Sequence, residues 1–226
     1  MAVLKLTLRD GVSYKIEDNG LSAEKTAVFL HGFTGSAATW DRIDGYFQGL
    51  RLIKLNLLGH GGTDSPADSS RYTTEKQAAD LIEIFDRLNV KQAYLIGYSM
   101  GGRLALSVAM IHPERVSGLV LESSSPGLDS PEERKARREQ DSRLSSRILE
   151  EGIESFVDYW EGIPLFASQL SMDPSKRKKV REERLNNNPV GLRGSLIGMG
   201  TGSQPSWWNR LSRIDYPVLL LSLIHI

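Results

Sequence analysis

Cysteine is absent from the 226 residues, which excludes a disulfide scaffold, a thiol nucleophile and thiolate zinc sites, and fits a reducing compartment. Charge of one sign is lacking too. Lysine and arginine together number 28, as do aspartate and glutamate, so no overall basic field draws in nucleic acid or an anionic membrane. Long apolar runs are missing as well: nothing approaches the roughly 18 residues of a membrane span, and the opening MAVLKLTLRDG has no basic start followed by a long apolar region. These absences lead to the expectation of a soluble, cytoplasmic protein with no nucleic-acid partner and no membrane insertion. What is present is an ordinary globular composition, 40% hydrophobic and 25% charged, enough to bury one sizeable core.

Val3 to Leu8 and Val12 to Ile16 alternate like strands around the turn signal Asp10-Gly11. Apolar runs then alternate with helical patterns. TAVFLH (26–31) precedes SAATWDRIDGYF, RLIKLNLL (51–58) precedes TTEKQAADLIEIFDRL, AYLIG (93–97) precedes MGGRLALSVAMIH, and VSGLVLE (116–122) closes the series. Strands buried on both faces and alternating with helices predict an α/β fold with a mainly parallel sheet and helices on each side. The predicted division is a core over 1–125, a helical lid over 126–205, a return to the core over 206–221 and a non-native tail over 222–226. The lid is charged: EERKARREQDSRLSSRILEE carries six positive and six negative side chains, and solvated helix faces are the simplest reading of most of them. PVLLL (217–221) resumes the buried-strand pattern.

Gly97-Tyr98-Ser99-Met100-Gly101 matches the GxSxG pattern with a strand before it and a helix after it. That context makes Ser99 a candidate nucleophile on a sharp strand-to-helix turn, at a helix N-terminus; a glycine-rich turn with an incidental serine is the competing reading. Such a turn requires a second amide donor from the loop after an earlier strand, and His31-Gly32-Phe33-Thr34-Gly35 fits. The backbone N–H groups of Phe33 and Met100 are the expected oxyanion hole. His31 precedes the serine and is expected to shape that loop. Gly59-His60-Gly61-Gly62 reads as another tight loop near the same rim, structural or functional.

LHGF, GHGG and GYSMGG, in this order at the ends of apparent strands, make the chain resemble the α/β-hydrolase fold superfamily. Arg103 in GYSMGGR, ESSSPGL (122–128), RLNNNP (184–189) and GTGSQPSWW (200–208) make it resemble, within that superfamily, the 2-succinyl-6-hydroxy-2,4-cyclohexadiene-1-carboxylate synthases of menaquinone biosynthesis. The resemblance implies an elimination: loss of a ring proton to Ser99, activated by a histidine, expels pyruvate. It calls for no metal and no organic cofactor. It implies a small-molecule polycarboxylate as partner, with Arg103, Arg137 and Arg184 as carboxylate clamps and Tyr98, Trp160, Gln204 and His31 as further substrate contacts. Surface charge is the alternative for each arginine, and Arg134 and Arg138 are the alternatives to Arg137. A polycarboxylate needs bidentate, permanently charged partners, which are arginines. The other functions considered are an ordinary serine esterase or thioesterase, and a non-catalytic binding protein on the same fold.

The base for Ser99 is the missing piece. Two histidines follow it. His112 sits at the far end of the helix that Ser99 begins, nearly 20 Å away at about 1.5 Å per residue. His225 has no acid and no following element to fix it, and Asp215 precedes the last strand. The superfamily pattern implies a Gly-x-x-Asp turn after PVLLL and a histidine beyond one more strand; instead there is Ser222-Leu223-Ile224-His225-Ile226, which resembles the in-frame reading of a sequencing adapter. The expectation is a truncated copy of a longer enzyme, inactive because it lacks the catalytic acid and histidine.

Overall fold

The structure, a computed structural model, describes residues 1–222, so His225 and most of the tail lie outside the described residues. A hairpin opens the fold, β1 (Ala2–Thr7) against β2 (Ser13–Asp18) with Leu4 opposite Ile16. Gly11 turns it at φ +90°, a conformation that costs glycine little. The remaining strands are β3 (Thr26–Leu30), β4 (Arg51–Leu55), β5 (Ala93–Tyr98), β6 (Val116–Glu122) and β7 (Val218–Leu221). Among the described residues they form one sheet in the order β1-β2-β4-β3-β5-β6-β7. Every pairing from β4 to β7 is parallel, while β2 is antiparallel to both its neighbours.

The central strand explains its own composition. All five residues of β3 are buried, and successive side chains face opposite layers. Val28 and Leu30 join Leu55, Leu95 and the apolar faces of α1 (Thr74–Arg87) and α2 (Met100–Ile111). Ala27 and Phe29 join Leu52, Ile96 and Trp40 on the other side. Each large side chain so buried contributes about 1.5–3 kcal/mol, and an all-apolar run is what a strand covered on both faces requires. In α1 the inward residues Gln77, Ala78, Leu81, Ile84 and Phe85 keep helical spacing, and Thr73 caps it by accepting from the Lys76 amide.

Two expectations are corrected. Residues 36–47 do not form a helix; they make two short 3₁₀ turns, Ala37–Trp40 and Asp44–Tyr46. Lys54, only 1% exposed on β4, pulls Asp41 and Asp44 onto the sheet at 3.3 and 2.8 Å, while Trp40 and Phe47 cover Phe29 at ring separations of 5.5 and 5.4 Å. The helical spacing of Trp40, Ile43 and Phe47 serves this cover and not a helix. Nor is β7 a buried strand: all four of its residues are exposed, Leu220 to 72%, because β6 flanks it on one side and no described element covers its faces.

Between β6 and β7 run three helices, α3 (Pro131–Glu161), α4 (Pro174–Leu185) and α5 (Pro189–Met199). Each begins alike, with a capping Ser130, Asp173 or Asn188 followed by proline in the first turn. Gly152 breaks α3 at φ +84°. No helix of the described residues is long and apolar enough to cross a membrane. α5 is glycine-rich, which weakens a helix by about 1 kcal/mol per glycine, and contact explains the cost. An added Cβ would lie 2.3 Å from Gly59 O at Gly191 and 2.3 Å from the Tyr72 ring at Gly194. Gly194→Ala is therefore expected to destabilise the protein by about 1–3 kcal/mol in urea unfolding, through overpacking; unchanged stability would mean that α5 does not rest on Tyr72.

Candidate active site

Ser99 occupies the turn from β5 into α2 with φ 49° and ψ −108°, a strained conformation for a residue with a side chain, worth about 1–3 kcal/mol. Its surroundings impose it. A Cβ at Gly101 would meet Leu30 O at 2.1 Å and one at Gly97 would meet Gly101 O at 2.5 Å, so only glycines let α2 start this close to the end of β3. The Ser99 amide donates to Glu122 O at 2.8 Å and holds the turn on β6. The half-buried side chain faces a cavity of about 1240 Å³ between sheet and lid. Phe33 and Met100 line that cavity, and their amides donate to no described residue. Thr34 at φ 68° and the Gly35-to-Gly32 hydrogen bond of 3.0 Å fold the first loop back toward the serine. Two free amides and a helix N-terminus beside one hydroxyl can hold an oxygen on which charge develops.

No histidine lines the cavity among the described residues. His31 is fully buried. Its Nε2 accepts from the Leu57 amide at 3.0 Å, so Nδ1 carries the proton and donates to Gly32 O at 2.8 Å. This corrects its expected substrate contact: the ring clips the 31–35 loop to the end of β4. His60, 5.2 Å away, bonds Leu58 O through Nδ1, and its loop backs onto α5 through the Gly59–Gly191 contact instead of entering the cavity. His112 caps the far end of α2. Among the described residues no cluster of three or more histidines, aspartates and glutamates is placed to hold a metal ion.

Arginines are what the cavity does bring together. Arg103, Arg137 and Arg184 all line it with Ser99, as do Tyr98 and Trp160. Arg103 lies one turn into α2, its Nη1 donating to Met199 O at 2.7 Å and Gln204 Oε1 at 2.6 Å. Enclosure by protein, and then repulsion from Arg137 partly offset by Asp141, pulls its pKa down to about 10, so it stays charged at neutral pH. Arg137 donates through Nε to Asp141 at 2.9 Å. Arg184 is held by Glu161 and Gln169, both at 3.0 Å, over the Phe166 ring at 4.8 Å. Gln204 is 1% exposed and lies outside the cavity lining, which corrects its expected role: it touches Arg103, not the space a ligand would fill. Arg134 and Arg138 turn away to the carbonyls of Gly202 and Gln204.

Trp160 packs on Phe33 and Phe156 at 5.4 and 5.6 Å, joining the lid to the 31–35 loop, and its buried Nε1 has no partner among the described residues. Sequence reasoning missed Asp141, Glu161 and Gln169, the groups that orient the lid arginines. Only Asp141 left a trace, the helical i, i+4 spacing from Arg137. Burial pushes the Asp141 carboxyl up, against the pull of Arg137.

Residues 26–223 match the alpha/beta hydrolase fold family, and the chain belongs to it. Within that fold it belongs to the 2-succinyl-6-hydroxy-2,4-cyclohexadiene-1-carboxylate synthase family. It is 52% identical over 221 residues to a Bacillus subtilis protein named as a putative synthase of that kind, covering 98% of this chain and 81% of the relative. The solved structure of MenH from S. aureus superposes with a TM-score of 0.85 at 34% identity, over 92% of this chain and 78% of that one. A malate-bound esterase from Thermogutta terrifontis superposes with a TM-score of 0.83 at 26% identity, over 98% and 80%. One fold serves both names, so the reaction has to be argued from the site.

The buried histidine pair has a consequence for stability. Burial lowers His31 to about 3, with His60 adding to the shift, and lowers His60 to about 4, against about 6.5 in an unfolded chain. The unfolded state then binds more protons between about pH 6.5 and 4. The pair's stabilisation is complete above about pH 6.5 and is lost as pH falls through that window, with the folding constant dropping up to about tenfold per unit and per histidine. Urea unfolding is expected to show a loss on the order of 3 kcal/mol between pH 7.5 and 5. A flat profile would place these rings in contact with solvent.

Proposed function

We propose that the chain acts as a 2-succinyl-6-hydroxy-2,4-cyclohexadiene-1-carboxylate synthase, a carbon–oxygen lyase of menaquinone biosynthesis working in the cytoplasm. Its substrate is 2-succinyl-5-enolpyruvyl-6-hydroxy-3-cyclohexene-1-carboxylate, and the reaction expels pyruvate. The observation that carries this reading is the shared cavity of Ser99, Arg103, Arg137 and Arg184. The substrate bears carboxylates on the ring, the succinyl arm and the enolpyruvyl group, and planar guanidiniums bind such groups with two parallel hydrogen bonds. A lid built for a simple ester would show an apolar face.

Ser99 serves as a base. Its hydroxyl, relieved of its proton by a histidine, takes a ring proton. The electron pair left on the ring spreads to a neighbouring carbonyl oxygen, where the Phe33 and Met100 amides stabilise the charge. The pair then returns to form the double bond between C2 and C3, the existing double bond moves from C3–C4 to C4–C5, and the bond from C5 to the enolpyruvyl oxygen breaks; the released enolate takes up a proton and becomes pyruvate. Water is not consumed. No described histidine reaches Ser99, so the reading requires one from outside the described residues.

Ser99→Ala is expected to abolish pyruvate release with little change in the unfolding midpoint. Wild-type turnover by that variant would remove Ser99 from the mechanism. Arg103→Lys keeps the charge and loses the fork; a fall of at least tenfold in kcat/KM is expected, since one bidentate pair is worth roughly 1.5–3 kcal/mol. A change of less than about threefold would put Arg103 outside the substrate contacts.

A further inference from the structure

The lid turns six lysines and arginines toward the cavity and only two acids. In a chain with 28 basic and 28 acidic residues, the cavity wall carries eight lysines and arginines against three acids. Asp41 is paired with Lys54 and Asp141 with Arg137, while Glu183, bound to the neutral Ser36 hydroxyl, is the one acid of the wall without a cationic partner among the described residues. Beyond the three clamps and Arg147, which is paired with Glu151, four cations remain. Arg42, Arg143, Lys176 and Lys179 are exposed, line the cavity, and have no acidic partner among the described residues. Helix geometry does the sorting: on α4, Lys176 and Lys179 share the stripe that ends in Arg184, while Arg177, Lys178 and Glu182 are not in the wall.

A neutral protein has thus concentrated an uncompensated field at one opening, where low-dielectric walls focus it. We propose that Arg42, Arg143, Lys176 and Lys179 form a cationic vestibule. It captures polycarboxylates in an encounter complex ahead of the clamps, sets their association rate and favours ligands of three negative charges over ligands of one. This rests on the polycarboxylate reading of the site above.

The test is stopped-flow binding of tricarballylate, a three-carboxylate probe, followed by tryptophan fluorescence through Trp160 in the cavity wall. Two double charge reversals with the same net change are compared, Lys176→Glu with Lys179→Glu on the cavity side and Arg177→Glu with Lys178→Glu on the other side of α4. All four residues are exposed, so neither variant is expected to misfold. At about 10 mM ionic strength, where charges act over roughly 30 Å, the cavity-side variant is expected to lose at least about tenfold in association rate, with its dissociation rate within about twofold. The difference should vanish near 0.5 M salt. The outward variant should stay within about twofold throughout, and acetate should show no comparable effect. Equal slowing by both variants would mean net charge and not a vestibule, and faster dissociation at unchanged association would mean direct contacts; either overturns the proposal. Failure of the unsubstituted protein to bind tricarballylate at all would overturn the polycarboxylate reading and the vestibule with it.

Discussion

The start of α2 presses against the end of β3, and the rest of the site depends on that contact. With no Cβ at Gly97 or Gly101, the strand can turn into the helix within a single residue, and Ser99 takes the strain. The same closeness puts the 31–35 loop beside the serine, so that its amides and those of α2 converge. His31, neutral and locked between Gly32 and Leu57, keeps the loop there. Rigid elements on both sides fix the constellation before any ligand arrives, which is the condition for electrostatic stabilisation without reorganisation at the moment of reaction.

The lid supplies what the sheet cannot. An elbow and two free amides are common to esterases and to this family alike, and the malate-bound esterase superposes nearly as well as MenH. Charge separates the readings. Arg103 from the core lines the same cavity as Arg137 and Arg184 from the lid, and each is held by a neighbour that sets its direction: Gln204, Asp141 and Glu161. Enclosure by protein, and after it the charge of Arg137, lowers the pKa of Arg103, and a ligand bearing several carboxylates complements such a set of guanidiniums.

Much of this was legible in the sequence, because the features concerned are local. The apolar runs of β3 to β6, the capped amphipathic α1 and the glycine spacing around Ser99 each follow from period, propensity and sterics over a few residues. What was not legible depends on contacts distant in the chain. The 36–47 segment reads as a helix until Lys54 pins its aspartates to the sheet. α5 is hidden by glycines whose purpose is contact with Gly59 and Tyr72. Arg137 was separable from Arg134 and Arg138 only through the family resemblance, since helix phase alone does not say which face meets the cavity. Gln204 and His31 were placed one layer too close to the ligand, because a residue that positions a contact and one that makes it look alike in sequence.

In the proposed elimination Ser99 removes a proton and never becomes acylated. Rapid quenching of the protein during its first turnover, with the released pyruvate assayed and the intact protein weighed by mass spectrometry, tests it directly. An elimination yields one pyruvate and one cyclohexadiene per substrate consumed, with the protein mass unchanged at every time point. An adduct on Ser99 that forms and decays at the turnover rate would contradict it and make the protein a hydrolase.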